Sequence, residues 1–194
     1  MLSREFHTFY NRWRTKANHY HGGDIRATFD RFFTLFVIYN RLYGEATFEL
    51  ARRGQINLTS RTSFPDAQAA KEYVRQYLGG LSMIQLLEVS PACTGAIQAV
   101  IALLDGPVEG RQFAIKLNMV DGSTQRHEDL KLLRMFRSAN PNERSKAVLH
   151  FLYAVRCNLF HGHKGFDPVQ IEVMRPATVL LLKMIEILFD RLDH

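Results

Sequence analysis

Three side chains in the last quarter of the chain have the types and spacing to act on one anion: Arg156, Asn158 and His161. A guanidinium stays charged at any ordinary pH and grips a carboxylate or phosphate through a planar fork of donors. An imidazole titrates near neutrality and gives or takes a proton. An amide can orient either partner. The set suits phosphoryl chemistry, in which a fixed cation stabilises charge developing on phosphate oxygens while the imidazole moves a proton. The same arginine could instead be satisfied by a carboxylate of the protein itself, with a surface histidine beside it.

Context singles out Arg156, because spacing does not. Arg14 and His19 show the same Arg-x4-His interval, and Arg144 and His150 a looser one. Arg156 lies within an apolar helical stripe of Val148, Leu152, Val155 and Leu159, with Tyr153 and Phe160 beside it. A guanidinium buried there without an anion is costly. Arg14 sits beside Asn11 and Asn18, on a polar flank. Five residues on a helix put two side chains about 140° apart. Arg156 and His161 therefore converge only if the helix ends between them, as Gly162 implies, or if a second copy supplies the complement across a two-fold axis. His161 near a helix C-terminus would favour imidazolium and a general-acid role.

Other candidates are weaker. His161 and His163 with His127, Glu128 and Asp129 lack the i, i+4 ligand spacing of a zinc-hydrolase helix, so no metal and no other cofactor is expected. Cys157 reads as a small apolar residue rather than a nucleophile. Lys164 and His163 are candidates to bind substrate. Asn40 is a third, an amide on a helix face that otherwise carries Phe29, Phe32, Phe33, Phe36 and Tyr43. It reads either as a core amide bonded to neighbouring backbone or as the support of a buried polar site.

The elements that must hold these groups are mostly helices. The patterns predict a helix over 3–20, then a break at Gly22-Gly23 and a second helix capped by Asp24. A loop over 52–64 precedes a helix from Pro65 to Leu78, stopped by Gly79-Gly80. Ser82 and Gln85 form a capping-box pattern for a short helix. Ser90-Pro91 opens another that runs to Leu104. Phe113, Ile115 and Leu117 alternate as in a strand, and Asp121-Gly122 marks a turn, so a small hairpin near 112–125 is expected. A helix over 127–138 follows. Asn140-Pro141-Asn142-Glu143 is a strong helix start, and Asp167-Pro168 opens the last helical region, which Pro176 should kink or break. The expected fold is all-α, a helical bundle in one domain over 1–194.

Composition agrees. The chain has 194 residues, 46% of them hydrophobic, as in a globular domain. The formal charge of +6 favours polyanionic partners, nucleic acid first. Two cysteines do not make a disulfide framework, and no signal peptide or membrane-spanning run is apparent. A cytoplasmic location without membrane association is expected.

The run Leu149-His150-Phe151-Leu152-Tyr153-Ala154-Val155-Arg156-Cys157-Asn158-Leu159-Phe160-His161-Gly162-His163-Lys164 resembles the signature helix of the HEPN superfamily, close to its Apea-like branches. Leu132 to Pro141 resembles the element before that helix. Phe36-Val37-Ile38-Tyr39-Asn40-Arg41-Leu42-Tyr43 resembles an early family helix. The likeness covers about residues 24–50 and 126–192. It leaves 1–23 as an added helix and 52–125 as an insert without counterpart. The resemblance implies a helical-bundle homodimer with a composite active site, acting as a metal-independent endoribonuclease in toxin–antitoxin, antiphage-defence or RNA-processing settings. It implies RNA as substrate and an antitoxin or defence protein as a possible partner. A non-catalytic module of the same fold, binding RNA or a protein, is the alternative. The family's arginine and histidine fall on Arg156 and His161, and its polar position on Asn158. One toxin branch carries a modified tyrosine two residues after the histidine; here that place is His163.

Overall fold

Side-chain caps start the long helices where the sequence puts them. Ser3 Oγ accepts the Phe6 amide at 3.2 Å and opens α1 (Arg4–Asn18). Asp24 Oδ1 accepts the Ala27 amide at 2.9 Å and opens α2 (Ile25–Arg52). Each such cap stabilises its helix by about 1 kcal/mol. The structure is a computed structural model that describes residues 1–20, 22–58, 64–108, 111–112, 114–118, 120–160 and 168–194.

The helix expected from Pro65 to Leu78 is present, but its middle is wider than an α-helix. α3 (Asp66–Gln68), a π turn (Ala69–Tyr73) and α4 (Val74–Leu78) follow one another without a break. The buried Tyr39 hydroxyl donates to the Ala70 carbonyl inside the π turn at 2.7 Å. α5 (Gly80–Glu88) corrects the capping-box reading. It starts two residues before Ser82, which lies inside the helix. Gly79 makes the start: its φ of +76° turns the chain sharply, in a region that other residues rarely adopt. Gly80 allows a close approach, since a Cβ there would stand 2.8 Å from Ser145 Oγ.

Ser90 caps α6 (Pro91–Asp105) through the Cys93 amide at 3.4 Å. β1 (Pro107–Val108) and β2 (Arg111–Gln112) then pair antiparallel, Pro107 opposite Gln112 and Val108 opposite Arg111. The strand expected through Phe113, Ile115 and Leu117 is not regular. Phe113 lies outside the described residues, and Ala114, Ile115 and Leu117 are all buried, so the sides do not alternate. The Ile115 and Lys116 amides donate to the Asp129 carboxylate at 3.2 and 2.8 Å instead of to a neighbouring strand. Beyond them Leu117 bridges Thr124, and Gly122 turns the tip at φ +70°.

α7 (Arg126–Phe136) leads to α8 (Pro141–Phe160), where Asn140 Oδ1 accepts the Asn142 amide at 2.9 Å. A 3-10 turn (Pro168–Gln170) precedes α9 (Ile171–Asp193). Pro176 does not break α9. It is the sixth residue, and at that place the helix forfeits one hydrogen bond while the ring is buried.

The fold is all-α. α2 and α9 pack along one another at the centre, α1 lies on α2, α6 on α9, and α5 and α7 on α8. The core includes Phe32, Leu35, Tyr39, Leu42, Leu104, Phe151, Leu180 and Leu188. Each large apolar side chain sealed there stabilises the fold by about 1.5–3 kcal/mol relative to exposure. Among the described residues no single helix is long and apolar enough to cross a membrane.

Candidate functional site

α8 carries two kinds of side chain. Ala147, Val148, Phe151, Leu152, Ala154 and Val155 are buried. Lys146, His150, Tyr153 and Cys157, at four- and three-residue steps, form a polar stripe, each half-buried. Arg156 sits on the seam between them, with its side chain 20% exposed.

Aromatic rings flank the Arg156 guanidinium. Its carbon lies 5.6 Å from the Tyr153 ring centroid and 6.0 Å from that of Phe36 on α2. Nη2 stands 3.7 Å from Asp66 Oδ2, an ion pair too long to be a hydrogen bond. Asp66 is the first residue of α3, and its carboxylate is shared. The Tyr43 hydroxyl donates to Oδ1 and the Tyr153 hydroxyl donates to Oδ2 at 3.0 Å. Burial, followed by Asp66, pushes both phenols well above their ordinary range, so they remain protonated donors. Three elements far apart in sequence thus meet on one carboxylate and one guanidinium.

A second group of charges adjoins the first. Lys71, in the π turn, places its ammonium 5.2 Å from the Tyr153 centroid, so two cations lie against this one ring. His150 Nε2 faces Glu72 Oε1 at 3.4 Å. Burial, then the Lys71 charge, push the His150 imidazole down to about 4, against the pull of Glu72. It is neutral at pH 7. Burial and Lys71 likewise lower the Lys116 ammonium. This array has acceptors, donors and excess positive charge in one half-open place. It is suited to holding a polyanion and to stabilising charge on it.

The expected site residues do not all meet there. Arg156 does. Asn158 is 6% exposed, and its amide donates to the Ile115 carbonyl at 2.8 Å, away from the guanidinium. Asn40 corrects the buried-amide reading. It is exposed and lines an open groove with Phe9, Val37, Gly44, Phe48 and Phe64. Tyr39 marks the middle of the buried arc of α2, and Asn40 is one residue, about 100°, past it. His161, His163 and Lys164 lie outside the described residues, as does the helix end expected at Gly162. Of the group weighed as metal ligands, Asp129 is fully buried with backbone amides on both oxygens, and His127 pairs with Glu128 at the surface. Arg14, the spacing twin, pairs with Glu186 on α9 at 3.0 Å.

Sequence reasoning missed Asp66, Lys71 and Lys116, and did not assign Tyr43, Tyr153 or His150 to the site. The polar stripe on α8 was visible as a periodicity opposite the apolar one. Asp66 left no local signal. No family model matches the chain, and no curated protein or solved structure matches it.

Proposed function

We propose that the chain is a metal-independent endoribonuclease of HEPN type, active as a homodimer with a composite site, in a defence or toxin–antitoxin setting. The observation that carries this reading is the state of Arg156. It lies among the Tyr153 and Phe36 rings and a shared carboxylate at 3.7 Å, with its side chain 20% exposed and Lys71 across the same tyrosine ring. A guanidinium so placed can bind a phosphate of an incoming strand. In the proposed step the RNA 2′-oxygen loses its proton and attacks phosphorus. The bond to the 5′-oxygen breaks, the leaving oxygen takes up a proton, and a 2′,3′-cyclic phosphate and a 5′-hydroxyl result. Arg156 stabilises the charged phosphorane, and His161 moves a proton.

One observation favours a second reading. Asp66 does supply Arg156 with a protein carboxylate, as expected of a helical interaction protein in which this arginine is structural. The test is cleavage of a labelled RNA in EDTA by wild type, Arg156→Ala and His161→Ala, with the oligomeric state measured in parallel. Loss of cleavage in both variants is expected. Cleavage that survives both substitutions removes the proposed site, cleavage abolished by EDTA removes the metal-free mechanism, and an active monomer removes the composite site.

A further inference from the structure

We infer that Lys71 and Lys116 form a second phosphate subsite beside Arg156, so that a single RNA strand lies along the polar stripe of α8 from Arg156 past Tyr153 and His150 towards Lys146. The inference takes its ligand from the ribonuclease reading, but it stands on its own geometry.

Pairing is the first argument. Arg14, Arg41, Arg75, Lys131 and Arg144 each sit on a carboxylate. Among the described residues Lys71 and Lys116 have no such ion pair, although both are half-buried. Half-burial without a counter-ion is unfavourable, and an anion between the two ammonium groups relieves it. Continuity is the second. Lys71 and Arg156 lie 5.2 and 5.6 Å from the centroid of one ring, so the two cations border a single path across Tyr153. That ring is half-buried, and its hydroxyl is anchored on Asp66, so its position beside the two cations is fixed. Rigidity is the third. The Lys116 backbone is fixed by the buried Asp129, and the Ala70 carbonyl beside Lys71 is bonded to Tyr39. Neither lysine rides on a loose loop.

The acids nearby do not cancel this charge. Glu72 faces His150 and Arg75, Glu128 is held by Lys131 and His127, Asp129 is occupied by amides, and Asp66 belongs to the two tyrosines and Arg156. Lys146 completes the track, while the neutral His150 spends its one N–H on Glu72 and adds no charge to it.

The experiment measures binding apart from cleavage. A 2′-O-methyl oligouridylate has no 2′-hydroxyl to attack, so its affinity can be followed by fluorescence anisotropy across a salt series. Removing one lysine–phosphate pair should flatten the slope of log K against log salt by about 0.7 for a single strand. Lys71→Gln and Lys116→Gln are expected to flatten it singly, and together by twice as much. Lys71→Arg should restore it, and Lys131→Gln should leave it as in wild type. Melting curves report the folded fraction, and Lys71→Gln alone carries the test if the Lys116 variant does not fold. A slope unmoved by Lys71→Gln, or moved as much by Lys131→Gln, overturns the subsite, as does wild type that fails to bind the strand. A wild type that binds with the expected slopes yet never cleaves the corresponding RNA overturns the ribonuclease reading and leaves the subsite standing.

Discussion

Arg14 and Arg156 are the same residue in the same sequence interval from a histidine, and the fold uses them in opposite ways. Arg14 leaves α1 to meet Glu186 on α9 at 3.0 Å, a hydrogen-bonded pair that fastens the first helix to the last. His19, its counterpart to His161, turns back to the Thr15 carbonyl at 2.7 Å. Arg156 meets two aromatic rings and a carboxylate at 3.7 Å already held by two tyrosines. The difference teaches that a short motif marks chemistry only through what the rest of the chain brings to it. One arginine ties two helices together through a direct hydrogen bond, while the other stands among rings and a carboxylate shared with two tyrosines.

The largest effect should separate the two outright. Arg156→Ala is expected to lower RNA cleavage 10²- to 10³-fold, about 3–4 kcal/mol of transition-state stabilisation, while Arg14→Ala leaves the rate per folded molecule unchanged. Equal losses in single-turnover assays would break the comparison. Next comes pH. His150 has a folded value of about 4, below its ordinary 6.5, so the unfolded chain binds the proton more readily. Stability should therefore be full above pH 6.5 and fall by about 2–3 kcal/mol as pH drops from 6.5 to 4. His150→Gln should flatten that part of the curve in urea melts, and an unchanged pH dependence would show that the imidazole is not sealed beside Lys71. Asn158→Ala should cost about 1–3 kcal/mol, because the Ile115 carbonyl loses its buried donor. Cleavage abolished by this substitution in a fully folded variant would return Asn158 to the chemistry. The smallest effect is the most pointed. Double-mutant cycles should give Arg14–Glu186 a coupling of about 0.5–1 kcal/mol and Arg156–Asp66 less. The reverse order would mean that Arg156 is a structural arginine.

Much of the scaffold was legible because helix starts are local. Asp24, Ser90 and Asn140 each announce their helix within three residues, and the structure uses all three side chains as caps, while Ser3, expected as the first helical residue, caps α1 instead. Ser82 misled because a left-handed glycine at 79 had already turned the chain. Pro176 lies inside α9 without ending it, because the packed helix absorbs the loss of one hydrogen bond. Asn40 misled because aromatic residues of α2 also lie outside its buried arc, Phe33 and Phe48 being exposed, so aromatic neighbours did not mark the buried side. The site was half legible. Arg156 announced itself as a charge among apolar neighbours, and Asn158 as a polar group beside it. The partner of Arg156 is 90 residues away at Asp66, and no periodicity connects them. Asn158 serves a backbone carbonyl 43 residues upstream, a pairing equally invisible in the sequence.

That last hydrogen bond has a consequence for anyone wishing to re-engineer the molecule. The excursion between α6 and α7 looks removable, an insert without counterpart. Yet Asp129 and Asn158, both on core helices, depend on Ile115 and Lys116 for their hydrogen-bond partners. A deletion that closed α6 onto α7 would strand a carboxylate and an amide in the interior. The tip is different: Val120 is 93% exposed, and Gly122 already makes the turn. New termini, an affinity tag or a grafted epitope belong at 120–122, where the chain can be cut without disturbing either clamp.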